Sequence, residues 1–373
     1  MKIVFIGGRD VHRLGGIESY MYNLSRTLAG LGYHPVVYCE SDRNGTVYEN
    51  GIKIVYQKGP LNSLMCKPLL GLVSTVRAMM TERDIDIIHY NTWSPSLSSW
   101  LPRLFGIKSL MMGHGLEWQR PRYSVRQQKI IRLMEGVTVC VNRHMIMCSR
   151  SQSRYFKERY DKDAPTIPTA VNMPAAEADV EVMAGVLDRY SLQAGRYILF
   201  MGRLVQDKNP DYLIRAFKSL GAVGYKLVIA GDNESDPVYV RRLHELAEGE
   251  RSIVFTGAVY GEEKDALFRG AYAYCLPSSI EGLSISLLEA MSYRLPLIVS
   301  DIEPNHEILP AGNAVWVRPE SVGELAEGLT YCMSHAGSVA LKTEENYRIV
   351  KENYTWESVT QKYIAYLSSI GVK

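Results

Sequence analysis

The chain has 373 residues, 46% of them hydrophobic and 22% charged, with a formal net charge of +2. That length exceeds what one hydrophobic core usually serves, so two α/β domains are expected; the ordinary composition and the lack of a low-complexity tract or of a repeat at solenoid periods exclude a disordered or solenoid chain. The longest apolar stretch, residues 68–80, carries Arg77 and is too short to cross a bilayer, while Met1 leads straight into an apolar strand without a signal-peptide pattern. A cytoplasmic protein is the expectation. Six scattered cysteines with no C-x-x-C pair, and eight dispersed histidines, give no metal-ligand spacing. Reduced thiols and no metal are expected.

Charge is unevenly spread, about +7 over residues 1–190 and about −5 over the rest. Most of the positive excess lies in residues 101–165, including Arg120, Arg122, Arg126, Lys129, Arg132, Arg150, Arg154, Lys157 and Arg159. Such a run suits an anionic lipid surface or a pyrophosphate-linked ligand, or else forms a solvated helix face. A peripheral place on the inner face of a membrane is thus one expectation; a nucleic-acid partner is not.

Residues 1–8 form a short apolar run ending in glycines, the pattern of a buried parallel strand. Ile17, Met21, Leu24 and Leu28 recur at helical spacing and Gly30 and Gly32 stop that helix. Strands follow at 34–39 and 52–56, a helix at 69–81, then strands at 85–90, 109–112 and 137–141. This rhythm predicts a doubly wound parallel sheet. Residues 166–190, rich in proline and acid with little periodicity, read as a linker between a first domain, 1–165, and a second, 191–355. The second domain starts afresh with strands at 197–201, 226–230, 253–255, 273–276, 297–299 and 314–317, alternating with helices such as 210–220 and 262–270. Ligands of open parallel sheets bind outside the carboxyl ends of the strands, so two such sheets facing each other would frame a cleft.

The strongest motif is Glu281-Gly-Leu-Ser-Ile-Ser-Leu-Leu-Glu289-Ala290, after the strand 273–276. A helix opening at Ser284 or Ile285 places Glu289 in its second turn and leaves Glu281 on the loop before it. Its N-terminus, with Gly282 beside it, presents amides and a positive dipole end suited to a diphosphate. Glu281 could then bind sugar hydroxyls and Glu289 a ribose diol. A second loop, Gly202-Arg203-Leu-Val-Gln-Asp-Lys208-Asn-Pro210, sets Arg203 and Lys208 ahead of a helix. Cations at a helix N-terminus oppose its dipole, so they point to an anionic ligand, and two fixed positive charges suit a departing nucleotide diphosphate. The plainer alternative for both motifs is solvated surface charge.

Together these loops resemble the second-domain signature of retaining glycosyltransferases of family four, whose GT-B fold has two facing Rossmann-like domains. The resemblance implies that Arg203 and Lys208 bind the donor diphosphate, Glu281 the transferred sugar and Glu289 the nucleotide ribose. Gly202, Gly282 and the amides of Leu283, Ser284 and Ile285 would add donor contacts. It also implies that the loop bearing Gly15 and Gly16 lines the reaction centre, Gly16 towards the donor and Gly15 towards the acceptor, and that the final helix, 356–369, crosses back onto the first domain. The segment Gly113-His114-Gly115-Leu-Glu117-Trp118-Gln119-Arg120 resembles a bacterial subgroup that includes rhamnosyltransferases of surface-polysaccharide assembly. It implies a catalytic His114 near the donor sugar, with Glu117, Trp118 and Arg120 near a glycan or lipid-linked acceptor. The donor implied is a nucleotide sugar, with UDP or dTDP favoured, and no cofactor is implied. A nucleotide-sugar epimerase and a non-catalytic nucleotide-sugar-binding subunit are the competing readings.

Overall fold

The computed structural model describes residues 1–12, 15–59, 66–119, 123–177, 179–221, 224–233, 236–335, 337 and 342–372. The chain divides into two compact units, one of Met1–Ala170 with Trp356–Lys373, the other of Val171–Thr355.

The first unit holds seven strands: β1 (Lys2–Arg9), β2 (His34–Ser41), β3 (Gly45–Glu49), β4 (Ile52–Lys58), β5 (Ile87–Tyr90), β6 (Lys108–Gly113) and β7 (His144–Met147). Their order is β3-β4-β2-β1-β5-β6-β7, and only β3 runs antiparallel to its neighbour. The central strands bury both faces, so they read as continuous apolar runs. The helix Gly16–Gly30 leaves the end of β1, and the helix Trp356–Ser369 packs against it.

The structure departs from the sequence reading of this unit in two places. Residues 137–141 are not a strand but the end of the helix Val125–Val141, and the strand that completes the sheet is β7. The run Val-Thr-Val-Cys-Val has high strand propensity, yet Ser124 and Gln127 form a reciprocal capping box that starts a helix sixteen residues upstream of Val141. Asn142 then closes it, its amide donating to the Thr138 carbonyl at 2.9 Å. The second is β3, absent from the expectations, which pairs with β4 through the turn Asn50-Gly51. Both turn residues have positive φ, 48° and 76°, the conformation an Asn-Gly hairpin demands.

The second unit is a six-stranded parallel sheet of β8 (Tyr197–Met201), β9 (Lys226–Ala230), β10 (Ile253–Gly257), β11 (Ala273–Leu276), β12 (Leu297–Ser300) and β13 (Val315–Val317), ordered β10-β9-β8-β11-β12-β13. One apolar layer gathers Leu199, Val228, Leu267, Leu288 and Val350; the opposite layer gathers Ile198, Leu213, Phe217, Ile229 and Leu329. Helices therefore cover both faces. Within residues 166–190 lies a further helix, Val180–Arg189, capped by the Asp179 carboxylate at 3.1 Å from two amides, with Val186 and Leu187 in the first of those layers. That helix thus packs on the second unit, while residues 166–170 belong to the first.

Candidate active site

Strand β8 ends and β11 ends beside it, so the loops that follow them emerge together at the carboxyl edge of the second sheet. They are tied to each other by backbone. The Ser279 amide donates to the Asp207 carbonyl at 3.0 Å, and the Asn209 side chain donates to the Pro277 carbonyl at 2.9 Å. Asn209 is buried and left-handed at φ 53°, a conformation Asn tolerates, and it hands the chain to Pro210 at the first position of the helix Pro210–Ser219. Gly231, after β9, has φ 149°, and a Cβ there would collide with the Gly202 carbonyl oxygen. The Gly202 loop can lie where it does only because residue 231 has no side chain.

This scaffold brings Lys208 and Glu281 together, Nζ to Oε1 at 2.5 Å, with side chains 17% and 5% exposed. The helix Ile285–Ser292 begins four residues after Glu281, with Ser284 at its N-cap accepting from the Leu287 amide at 3.4 Å. The serine side chain thus turns back into the first turn, and the leading amides of the helix stay outside its own ladder. Glu289, one turn on, pairs with Lys264 at 2.7 Å. Beneath both carboxylates the Tyr274 hydroxyl bridges the Met201 carbonyl at 3.2 Å and the Ser286 hydroxyl at 2.7 Å. Burial holds that phenol protonated, and the charges of Glu281 and Glu289 push the same way. Arg203 is exposed on the loop after β8. Expected residues Gly202, Arg203, Lys208, Glu281, Gly282, Leu283, Ser284, Ile285 and Glu289 therefore all lie on two adjoining post-strand loops and one helix. The sequence reading missed Lys264, Tyr274 and Asn209: nothing in a helix such as Gly261–Gly270 marks one lysine as facing Glu289, whereas Asn before Pro at a helix start is a readable turn signal.

In the first unit, Gly15 is the N-cap of the helix Gly16–Gly30, and Gly16 its first residue. A Cβ on Gly15 would strike the Glu18 carboxylate, which also accepts from the Arg9 amide at 3.0 Å and so ties the end of β1 to the helix. Sequence reasoning gave Glu18 no role. Gly113 ends β6, and the loop that follows is held by the Trp93 indole donating to the Gly115 carbonyl at 3.1 Å. His114 meets Tyr20 edge-on at 5.0 Å, and its Nε2 is buried without a partner among the described residues. Burial lowers its pKa to about 4, so the imidazole is neutral near pH 7. Glu117 accepts from the Tyr123 hydroxyl at 2.8 Å. Trp118 has the Arg132 guanidinium over its ring at 3.9 Å and Tyr155 at 6.0 Å. Arg120 lies outside the described residues, as do Arg122 and Leu14.

Cations and a helix N-terminus gathered at the carboxyl edge of a doubly wound sheet suit an anionic ligand. Residues 191–353 match the family model described as glycosyl transferases group 1, and residues 14–173 match that of glycosyltransferase family 4. The chain thus carries both domains of a GT-B glycosyltransferase, and it is an enzyme of that class. It is 25% identical to the phosphatidylinositol N-acetylglucosaminyltransferase gpi3 subunit of Schizosaccharomyces pombe over 93% of this chain and 76% of that protein. It is 31% identical to an uncharacterized glycosyltransferase of Methanocaldococcus jannaschii, a match spanning 45% of this chain and less than half, 44%, of that protein. Among solved structures it resembles the Anabaena protein HepE in complex with UDP-glucose, with a TM-score of 0.80, 15% identity, and 99% of this chain and 100% of that one covered.

Proposed function

We propose that this glycosyltransferase moves a sugar, with retention of anomeric configuration, from a nucleoside diphosphate donor of the UDP or dTDP type onto a glycan or lipid-linked acceptor in cell-surface polysaccharide assembly. The observation that carries the reading is the Lys208–Glu281 pair. A cation and a carboxylate from two post-strand loops meet next to the start of the helix Ile285–Ser292. In this reading the donor diphosphate takes over Lys208, with Arg203 and the leading helix amides, which releases Glu281 to the sugar hydroxyls. Glu289, steadied by Lys264, takes the ribose diol. The anomeric carbon–oxygen bond breaks towards the diphosphate, the acceptor oxygen attacks from the same face, and the acceptor proton passes to a diphosphate oxygen. Protein cations carry the growing negative charge, and the reading asks for no metal. His114, neutral and with a ring nitrogen that bonds nothing among the described residues, attends the sugar in the first unit's loop, with Gly16 on the donor side. Gly15, Glu117, Trp118 and Arg120 serve the acceptor. The likeness to a protein crystallised with UDP-glucose and to a phosphatidylinositol glycosyltransferase supports a nucleotide-sugar donor and a lipid acceptor, and with the latter a place at an anionic membrane surface. The test is a thermal-shift panel of UDP, dTDP, GDP and ADP sugars, since a ligand that binds the folded state raises its stability with concentration. A shift with none of the four removes the reading, and turnover of donor without any acceptor moves it to epimerisation.

A further inference from the structure

At the other end of the first sheet, where β6 and β7 begin, a cavity of about 640 Å³ is lined by Arg103, Lys108, Arg143 and His144, with Trp100 and Leu104 among its apolar wall. No Asp or Glu is among the described residues that line it. Arg103 donates to the Val141 carbonyl at 3.1 Å and Lys108 to the Gly371 carbonyl, neutral partners that hold the cations in place without cancelling them. Lys162 stands beside them, donating to the carbonyls of Asn142 at 2.7 Å and Arg143 at 3.1 Å. Its sequence neighbour Asp163 pairs with Lys157 at 3.2 Å. Burial, and then the charges of Arg143, Lys162, Lys108 and Arg103, hold the His144 imidazole below its ordinary value; burial and Arg103 do the same to Lys162. Like charges fixed this close are relieved by an anion.

The rim of the cavity is apolar. Trp100, Leu104 and Phe105 are 46%, 71% and 69% exposed. The helix Cys66–Thr81, which packs on the short helix Trp100–Arg103, turns Leu69, Leu72, Val73, Val76 and Met80 to solvent, the spacing of a single helical stripe. Scattered exposed apolar residues need no account, but a stripe adjoining a cationic pocket marks an interaction surface. Exposed Trp, Phe and Leu around Lys and Arg is the chemistry of a membrane interface rather than of a soluble anion site.

We propose that this pocket and its rim dock the first unit on an anionic membrane, a phospholipid phosphate entering among Arg103, Lys108, Arg143 and His144 while Trp100, Leu104 and Phe105 enter the acyl boundary. The inference deepens, and rests on, the reading of a lipid-linked acceptor. It places membrane contact at the amino ends of the strands, about 20 Å along β6 from His114 at 3.3 Å per residue. Sedimentation of the full chain with phosphatidylcholine vesicles, alone or containing phosphatidylglycerol, tests it. The expected result is partition onto the anionic vesicles only, reduced about tenfold or more in Arg103→Glu/Arg143→Glu and in Trp100→Ser/Phe105→Ser, with the thermal shift by donor unchanged in both variants. Equal partition onto both vesicle types, or wild-type partition by both variants, overturns it. So does binding of glycerol phosphate by calorimetry in a chain that no vesicle retains, which makes the pocket a site for a soluble phosphate. Loss of transfer with vesicle binding intact is a failure of the acceptor reading alone.

Discussion

Lys208 and Glu281 lie 73 residues apart in sequence and 2.5 Å apart in space, both largely withdrawn from solvent. Each sets an opposite charge against the other at a place with little access to water. Lys208→Ala leaves a carboxylate that is 5% exposed without its cation. That should cost on the order of 2 kcal/mol, somewhat less than breaking a fully buried pair. Lys208→Met/Glu281→Leu should recover most of that loss without recovering transfer. Chemical denaturation of the three proteins checks this, and a Lys208→Ala chain as stable as wild type contradicts it.

The Lys264–Glu289 pair, 2.7 Å apart, predicts a positioning role for Lys264. It holds Oε1 of Glu289, and the proposed ribose diol would use the other oxygen. Glu289→Ala should weaken binding of free UDP or dTDP by about tenfold, the loss of a charge-assisted hydrogen bond. Lys264→Met should weaken it by a smaller factor, and in the double variant the two losses should not add. Calorimetry with the free nucleotide decides; strict additivity means that Lys264 acts elsewhere.

Asn209 combines a left-handed backbone with a side-chain bond that ties the loops after β8 and β11. Asn209→Gly keeps the conformation and loses the bond. Asn209→Ala loses both, and should be the less stable by about 1 kcal/mol. Melting temperatures in the order Asn, Gly, Ala are expected; Ala equal to Asn is the contrary result.

Stability should fall in mild acid. Burial lowers the pKa of His114 to about 4, and burial with the charge of His114 lowers that of His89 to about 3. The unfolded chain takes protons on these rings near pH 6.5 that the fold refuses, so stability is full above that value and is lost as pH drops towards 4. Each ring contributes a slope of at most about 1.4 kcal/mol per pH unit. Denaturation midpoints of wild type and His114→Gln between pH 7 and 4.5 measure it: the variant should show the shallower decline, and parallel curves contradict the assignment.

Much of this was readable in the residues. Parallel strands buried on both faces announce themselves as apolar runs, and the motif from Glu281 to Glu289 identifies its helix start because Ser284 caps it. What was not readable depends on partners far away in sequence. Nothing local turns Val137–Val141 into helix except a capping box at Ser124, and nothing near Lys264 names Glu289. The turn Asn50-Gly51 was a legible hairpin signal that the helix-and-strand rhythm overrode.

The central claim is that the charges gathered after β8 and β11 serve a nucleoside diphosphate that leaves during sugar transfer. Release of UDP or dTDP from the donor identified by thermal shift, measured with acceptor for wild type, Lys208→Ala, Arg203→Ala and Glu281→Gln, tests it directly. Loss of one stabilising charge on the leaving group should lower turnover by about 10²-fold in the two cation variants. Glu281→Gln should impair turnover while still binding the free nucleotide. Folded variants at Lys208 and Glu281 that both turn over at the wild-type rate would contradict the account and put the donor site elsewhere in the chain.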